Sequence, residues 1–349
     1  MLGFLSQITQ TKARKHVTEI FKVKTGTENG GCDNYRVDEW FAEALDLANH
    51  VKRCFDSAQK ALEEKDLDHD SLHYLKTFFN LDPTEKTIFN EHFDKMKEDL
   101  GDVLDAFVDD EDNDKDDKPR LFCDSTFAVE KDWDDAALQE GTGKGYPLEL
   151  VDGDLVEKTI MEAEAEWYND VFTERKKDRD EEQDEAAREA LRPLWYPFWV
   201  DHLKMYRFEV KGDFCFARDN MGATEDQRQP TIVTLCPKNF KSEKNKVWYE
   251  RLDDIPEVKR QGRSIGTIAL PSLTFFHEMF HVALTAAHTP DVTYTLSQIT
   301  RTKALEGDTF ISSEQSRSNP ESWTLFALAW ELGERNPKFT FATTKAVRR

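Results

Sequence analysis

Apolar residues recur at helical spacing through the first third of the chain. Between residues 37 and 107 they follow one another at intervals of one to four, the pattern of helices that bury one face. The pair Asp82-Pro83 interrupts this pattern, because a proline cannot continue a helix. The segment therefore predicts two or three antiparallel helices. Their apolar positions are Leu45, Leu47, Ala48, Val51, Phe55, Leu72, Leu75, Phe78, Phe79, Phe89, Phe93, Met96, Leu100, Val103 and Leu104.

Charge replaces this pattern in the middle of the chain. Residues 109–117 are nearly all acidic and residues 178–189 are densely charged, and runs of like charge are typical of solvated segments. A helix is predicted between the two runs, over about 154–172, and the aromatic cluster Trp195–Trp199 follows the second run. Because exposed apolar patches are uncommon on soluble proteins, we interpret this cluster as an anchor of an acidic insertion, and not as a partner-binding patch.

The C-terminal part mixes strand and helix patterns. Residues 207–240 carry short β-type runs, of which Thr231–Cys236 is the clearest strand. Residues 265–284 form a helical stretch that is almost free of charge, and a last helix is predicted over about Glu321–Leu332. These patterns predict an α+β protein that is mostly helical, with a small β element and an acidic insertion.

Composition narrows the class of partner. The chain has 349 residues and a net charge of −22, which argues against binding nucleic acid or an anionic membrane surface. It contains no run of about 18 apolar residues, so no membrane span is predicted. The first residues do not form a secretory signal peptide, and an intracellular location is therefore not excluded. None of the five cysteines forms a CxxC pair, which argues against a zinc site with only cysteine ligands.

The most informative motif is His277-Glu278-Met279-Phe280-His281, within the uncharged helical stretch. Two histidines four residues apart lie on one face of a helix, so both imidazoles can reach a single metal ion. The glutamate between them projects beside the metal, where it can take a proton from a water molecule. Polar side chains in so apolar a helix need partners, and zinc is the natural one. The alternative is a buried helix whose histidines only form hydrogen bonds with neighbours.

A catalytic zinc ion usually has three protein ligands and one open position. A third histidine in the pattern HExxHxxGxxH would fall at Ala287, and Leu284 would have to be glycine, so this pattern fails. One alternative is a glutamate on a later helix, Glu314 or Glu321. The other is Asp291, ten residues past the second histidine, which is close enough to fold back on the metal.

These motifs resemble those of the aspzincin metallopeptidases, the family of deuterolysin and the fungal peptidyl-Lys metalloendopeptidases. After HEMFH, the segment Asp291–Tyr294 resembles the family's Asp-x-x-Tyr. Asn319–Trp323, followed by Thr-Leu-Phe-Ala, resembles its Asn-Ala-Asp-x-Tyr/His-x-x-Phe. Upstream, Thr231–Cys236 resembles the strand and cysteine before the family's active-site helix, and Gly30–Cys32 resembles the start of its mature domain.

The resemblance covers roughly residues 30–108 and 205–340, and the acidic middle is unmatched. It implies a zincin-type metallopeptidase domain. The expected parts are an N-terminal extension (1–29), the helical part of a catalytic domain (30–108), an acidic insertion (109–204) and a catalytic core with the HExxH helix (205–349).

By this resemblance, His277, His281 and Asp291 would hold one catalytic zinc ion, and Glu278 would act as the general base. Tyr294 would donate its hydroxyl to the oxyanion of the tetrahedral intermediate. The activity implied is that of a zinc-dependent endopeptidase acting on proteins or peptides.

The resemblance also implies a substrate preference and a location. Glu321 stands where lysine-selective members carry an aspartate in the S1′ pocket, and a carboxylate there would favour Lys or Arg at P1′. Thr295 departs from the family's pattern, because it replaces the glycine that follows the tyrosine. A disulfide between Cys215 and Cys236 and an extracellular location are also implied.

A different class of function stays open at this point. The protein could be a catalytically silent, zinc-binding acidic interaction protein, in which the insertion and the aromatic cluster bind a partner. A purely structural zinc site would be closed by a fourth protein ligand, whereas the intact glutamate and the three-ligand arrangement favour the enzyme.

Overall fold

A computed structural model of the chain describes residues 15–108, 118–151, 154–169, 195–210, 212, 215, 220–242, 246–301 and 309–349. The two charged runs, at 109–117 and 178–189, lie outside these residues, as does the end of the helix predicted over 154–172. Over the described residues the fold is α+β with small sheets, as predicted, and the helical share (44%) exceeds the strand share (17%).

Helices make up 44% of the structure. They are α1 (Val17–Ile20), α2 (Val37–Glu64), α3 (Asp70–Phe79), α4 (Lys86–Val108), α5 (Ile160–Ala163), α6 (Pro271–Leu284), α7 (Leu296–Thr300), α8 (Ser313–Ser318) and α9 (Pro320–Arg335). Helices α2, α3 and α4 confirm the prediction of helices in the first third of the chain. Asp82-Pro83 lies between α3 and α4, where the apolar pattern breaks. The predicted last helix is α9.

Helix α6, which carries the HExxH motif, lies in the largest apolar core. Its phenylalanines Phe275 and Phe280 are fully buried. Phe275 contacts Phe41 of α2 with ring centroids 5.5 Å apart, and Phe280 contacts Trp323 of α9 at 4.9 Å. Burying a side chain of this size stabilises a fold by about 1.5–3 kcal/mol. The packing therefore fixes the position of α6 between α2 and α9.

A four-stranded sheet lies beside this core. Its strands are β1 (Lys22–Val23), β2 (Arg120–Phe122), β9 (Ile232–Leu235) and β8 (Gly222–Glu225), in that order. Strands β1, β2 and β9 are parallel, whereas β8 runs antiparallel to β9 at the edge. Strand β9 confirms the strand predicted at Thr231–Cys236, and all of its residues are buried.

This sheet draws on two ranges that the sequence assigned elsewhere. Strand β1 falls in the range of the N-terminal extension (1–29), and β2 falls in the range of the acidic insertion (109–204). Both belong to the central sheet because Leu121 pairs with Val23 on one side and with Val233 on the other. The chain therefore leaves the central sheet only after β2.

The middle of the chain forms a second small unit of structure. Strands β3 (Ala128–Glu130), β6 (Trp195–Val200) and β7 (Met205–Val210) make an antiparallel sheet, and β4 (Glu149–Val151) and β5 (Asp154–Val156) make a hairpin. The predicted aromatic cluster is β6, and its rings are largely buried. Trp199 packs with Tyr206, Phe208 and Trp133 in a small core of its own.

The predicted start of the helix over about 154–172 is wrong. Residues Asp154–Val156 form β5, and α5 begins at Ile160. Thr159 caps α5 by accepting from the backbone N–H of Glu162, while the Glu162 carboxylate accepts from the backbone of Thr159. This reciprocal cap sets the helix start because it satisfies two free donors at once.

Two disulfides join described residues. The Cys215–Cys236 bridge implied by the resemblance is present, and a second bridge links Cys32 with Cys123. Cys54 is a buried free thiol. The remaining two-residue strands are β10 (Val247–Trp248), β11 (Ile268–Ala269), β12 (Phe339–Thr340) and β13 (Val347–Arg348). No helix of the described residues combines the length and the apolar character needed to cross a membrane.

Candidate metal centre

Helix α6 presents His277 and His281 one turn apart on the same face. Both imidazoles are buried, and their Nε2 atoms lie 3.2 Å apart. Pro271 occupies the first turn of the helix, where a missing backbone N–H costs no hydrogen bond. The apolar side chains on the other faces of α6 are buried in the core. Their packing holds the helix, and therefore the two histidines, in place.

The chain reverses direction directly after this helix. Thr285 ends α6 with φ 67° and ψ 149°, a backbone conformation that costs a residue with a side chain about 1–3 kcal/mol. The reversal brings Asp291 back to the histidines. Its Oδ1 atom lies 3.0 Å from Nε2 of His277 and 3.4 Å from Nε2 of His281.

These three atoms have the spacing of a tetrahedral metal site. Zinc–ligand bonds of 2.0–2.1 Å at tetrahedral angles separate neighbouring ligand atoms by about 3.3 Å. The separations of 3.0, 3.2 and 3.4 Å between the donors of His277, His281 and Asp291 agree with this value. Glu314 and Glu321 do not belong to this group of converging donors, so the structure favours Asp291 among the three candidates for the third ligand.

The tautomer of His281 is fixed by its other nitrogen. Nδ1 lies 3.0 Å from Oγ1 of Thr289, and that hydroxyl donates its proton to the backbone carbonyl of Thr285 at 2.8 Å. The hydroxyl can therefore only accept from Nδ1–H, which leaves the Nε2 lone pair directed at the centre of the site. His277 is arranged in the same way: its Nδ1 atom faces an acceptor, the Glu321 carboxylate, at 3.6 Å.

Charge is strongly coupled within the three donors. Burial opposes ionisation of Asp291, but hydrogen bonds with His277 and His281 outweigh it and hold its pKa well below its ordinary value. Burial also opposes protonation of His277, yet Asp291 and Glu321 raise its pKa to about 10. Without a metal ion, a proton on His277 therefore supplies the positive charge that the site requires.

This coupling predicts that zinc uptake displaces a proton. Between about pH 7 and about pH 9, we expect the apparent zinc affinity to rise about tenfold per pH unit, because His277 must lose its proton to bind. A histidine with the ordinary pKa of 6.5 would give a nearly flat profile over this range. Competition with a chelator of known pH dependence measures the slope, and a flat profile would contradict the coupling.

Glu278 faces the edge strand β8 and is buried there. Its Oε2 atom accepts from the hydroxyl of Thr224 at 2.8 Å. Gly222 on the same strand leaves room for this carboxylate, because a Cβ there would lie 2.8 Å from Oε1 of Glu278 and 2.7 Å from Thr274 and would displace one of them. Only 3% of Glu278 is exposed, and burial raises its pKa. A buried carboxylate with a raised pKa is a stronger proton acceptor than an exposed one.

Two further side chains border the site. The Tyr294 ring stacks on His277, with centroids 5.7 Å apart and planes at 15°, and 62% of the residue is exposed. Partial burial and then the charge of Asp291 raise the pKa of Tyr294, so its hydroxyl keeps its proton at neutral pH. Glu321, in the first turn of α9, is partly exposed beside His277.

A second group of potential metal ligands occurs among the described residues, but the guanidinium of Arg53 already pairs with one of its carboxylates. Nδ1 of His50 lies 2.6 Å from Glu331 and 2.8 Å from Glu334, between α2 and α9. The guanidinium of Arg53 lies 3.0 Å from the same Glu334 oxygen. We interpret this group as an ion-pair network that joins two helices.

Sequence reasoning missed Gly222, Thr224 and Thr289, which are distant from the motif or carry common side chains. A pattern search has no signal for Thr224, because its role depends on the pairing of β8 with β9. No protein-family model, curated protein or solved structure matches this chain.

Proposed function

We propose that this protein is a zinc-dependent endopeptidase of aspzincin type, with a zincin-type catalytic domain. The observation that carries the proposal is the agreement of three donor separations with a tetrahedral zinc site, beside a buried glutamate that is not one of the donors. Histidine, histidine and carboxylate are a ligand set of catalytic zinc sites that leave one position open.

The chain's own residues supply the proton transfers. Bound zinc would polarise the scissile carbonyl and make a water molecule acidic. Glu278 takes the proton of the attacking water and then delivers it to the leaving amine. Thr224 donates to Oε2 of Glu278, and Oε1, which lies beside Gly222, would accept the proton of the water. Tyr294, whose ring stacks on His277, would donate its hydroxyl to the oxygen on which negative charge develops.

Strand β8 offers a place for an extended peptide. It pairs only with β9 among the described strands, so no other described strand occupies its second edge. An extended substrate can add to such an edge as a further strand. Because Thr224 of β8 contacts Glu278, a peptide bound there would pass directly beside the general base. This arrangement supports proteins or peptides as substrates.

A preference for Lys or Arg at P1′ is part of the proposal. Glu321 adds a carboxylate to a partly buried site where water competes little, which would favour a cationic side chain. We expect the wild-type protein with zinc to cut denatured proteins before Lys and Arg, and Glu321→Gln to lose this bias more than it loses total cleavage. Mass spectrometry of the new N-termini measures both quantities.

Glu314→Gln is the matched control, because Glu314 is an exposed acid on α8 outside the metal centre. Cleavage without a basic bias in the wild type would keep the peptidase and remove the role of Glu321 in selectivity. No cleavage by the wild type would contradict the proposed function.

One observation favours the interaction protein as a second candidate. The β4–β5 hairpin and the residue before it expose four large apolar side chains, a pattern typical of partner-binding surfaces. These side chains are Leu148, Leu150, Leu155 and Val156. Against this candidate, the described residues contribute three donors and no fourth to the metal centre, as expected of an open catalytic site. Two disulfides are compatible with an extracellular location, which we propose with the activity.

A further inference from the structure

We infer that Asn319 is a positioning residue, which holds the loop of Asp291 and Tyr294 in the geometry that zinc requires. This inference rests on the proposed function. It assigns a role to a side chain that touches neither the metal donors nor the general base.

The side chain of Asn319 is committed entirely to fixed partners. It is fully buried and stands at the N-cap of α9, yet it makes no capping hydrogen bond to that helix. Its Oδ1 atom instead accepts from the backbone N–H of Val292 at 3.2 Å and of Thr293 at 3.4 Å. Its Nδ2 atom donates to the carbonyl of Thr293 at 3.1 Å and to the hydroxyl of Ser322 at 3.0 Å.

These four hydrogen bonds use every donor and acceptor of an asparagine amide. Three of them end on the backbone of Val292 and Thr293, the two residues that separate Asp291 from Tyr294. An N-cap asparagine normally satisfies the first turn of its own helix. The side chain of Asn319 does not cap α9 in this way and forms its hydrogen bonds with the loop instead.

The loop needs such a clamp because its metal ligand is not held by packing. The side chain of Asp291 is 40% exposed, whereas those of His277 and His281 are 7% and 6% exposed. Helix α9 is the firm support on the other side, since Trp323 and Phe326 are fully buried in the core. Asn319 therefore transfers the rigidity of α9 to the one donor that does not lie on α6.

Removing the clamp should weaken zinc binding without removing a ligand. Groups that only orient a ligand typically contribute about 10- to 100-fold to metal affinity. We expect Asn319→Ala to bind zinc 10- to 100-fold more weakly than the wild type, measured by competition with a chelator. Hydrogen exchange should show faster exchange at the amides of Val292 and Thr293.

The matched control is Asn336→Ala, at the other end of the same helix. Asn336 is also buried, and its amide accepts from the backbone of Val258 at 2.8 Å and donates to Leu332 at 2.7 Å. A helix of 16 residues is about 24 Å long, so this change removes a comparable clamp far from the metal centre. We expect its zinc affinity to equal that of the wild type.

Asn319→Asp keeps the oxygen that accepts from the loop and loses the donors. It should retain an affinity between those of the wild type and Asn319→Ala, and it replaces the alanine variant if that variant does not fold. Equal zinc affinity in Asn319→Ala, Asn319→Asp and the wild type would overturn the inference and leave the proposed function intact. A wild-type protein that takes up no zinc would overturn both.

Discussion

Glu278→Gln should bind zinc like the wild type and cleave peptides about 10²- to 10⁴-fold more slowly, the range that a general base contributes. Glutamine has the same shape as glutamate, and its amide oxygen can still accept from the hydroxyl of Thr224. It cannot take a proton from water. Zinc affinity should not change, because the three converging donors are His277, His281 and Asp291. Kinetics on a fluorogenic peptide and zinc content by mass spectrometry give the two values.

Glu43→Gln controls for the loss of a buried carboxylate elsewhere. Glu43 is buried on α2, and its carboxylate accepts from the backbone N–H of Leu252, a bond that a glutamine oxygen can keep. This variant should cleave like the wild type. If Glu278→Gln still cleaved peptides at the wild-type rate, the assignment of the general base would be wrong, and so would the proposed mechanism.

Asp291→Ala should lose zinc affinity by more than about 100-fold, because loss of a group that only orients a ligand already costs about 10- to 100-fold. Two histidines alone leave the ion with half of its tetrahedral ligands. The change also removes the carboxylate that raises the pKa of His277, so protons compete less for the imidazole. A large loss of affinity is therefore expected despite that partial compensation.

The two other candidates for the third ligand serve as controls. Glu314→Ala should leave the affinity unchanged, because Glu314 is exposed on α8 and outside the converging donors. Glu321→Ala should give a smaller loss than Asp291→Ala, because its carboxylate faces Nδ1 of His277 and not the centre of the site. If Glu321→Ala instead gave the larger loss, the ligand set would be wrong.

The sequence predicted two of the three donors from spacing alone and left the third among three acidic residues, from which the family resemblance selected Asp291. The spacing of His277 and His281 fixes their relation within one helix turn, and ligand arithmetic then left Asp291 among few choices. Helices α2 to α4 were predictable for a similar reason, because each is long enough for the apolar period to repeat several times.

The contacts that support these donors were not predictable in the same way. Thr224 reaches Glu278 only through the pairing of two four-residue strands, and such strands are too short to show a reliable alternation. The hydrogen bonds of Asn319 end on backbone atoms, which leave no trace in side-chain identity. The start of α5 did have a sequence signal, since Thr159 and Glu162 stand at the spacing of a capping box.

The Cys32–Cys123 bridge bears on self-digestion. It joins residues 91 positions apart and closes α2, α3 and α4 into one covalent ring. A single backbone cut anywhere within that ring produces two chains, and the disulfide still joins them covalently. If the proposed activity turns on the protein itself, a nick in this region therefore sheds no fragment until the cystine is reduced.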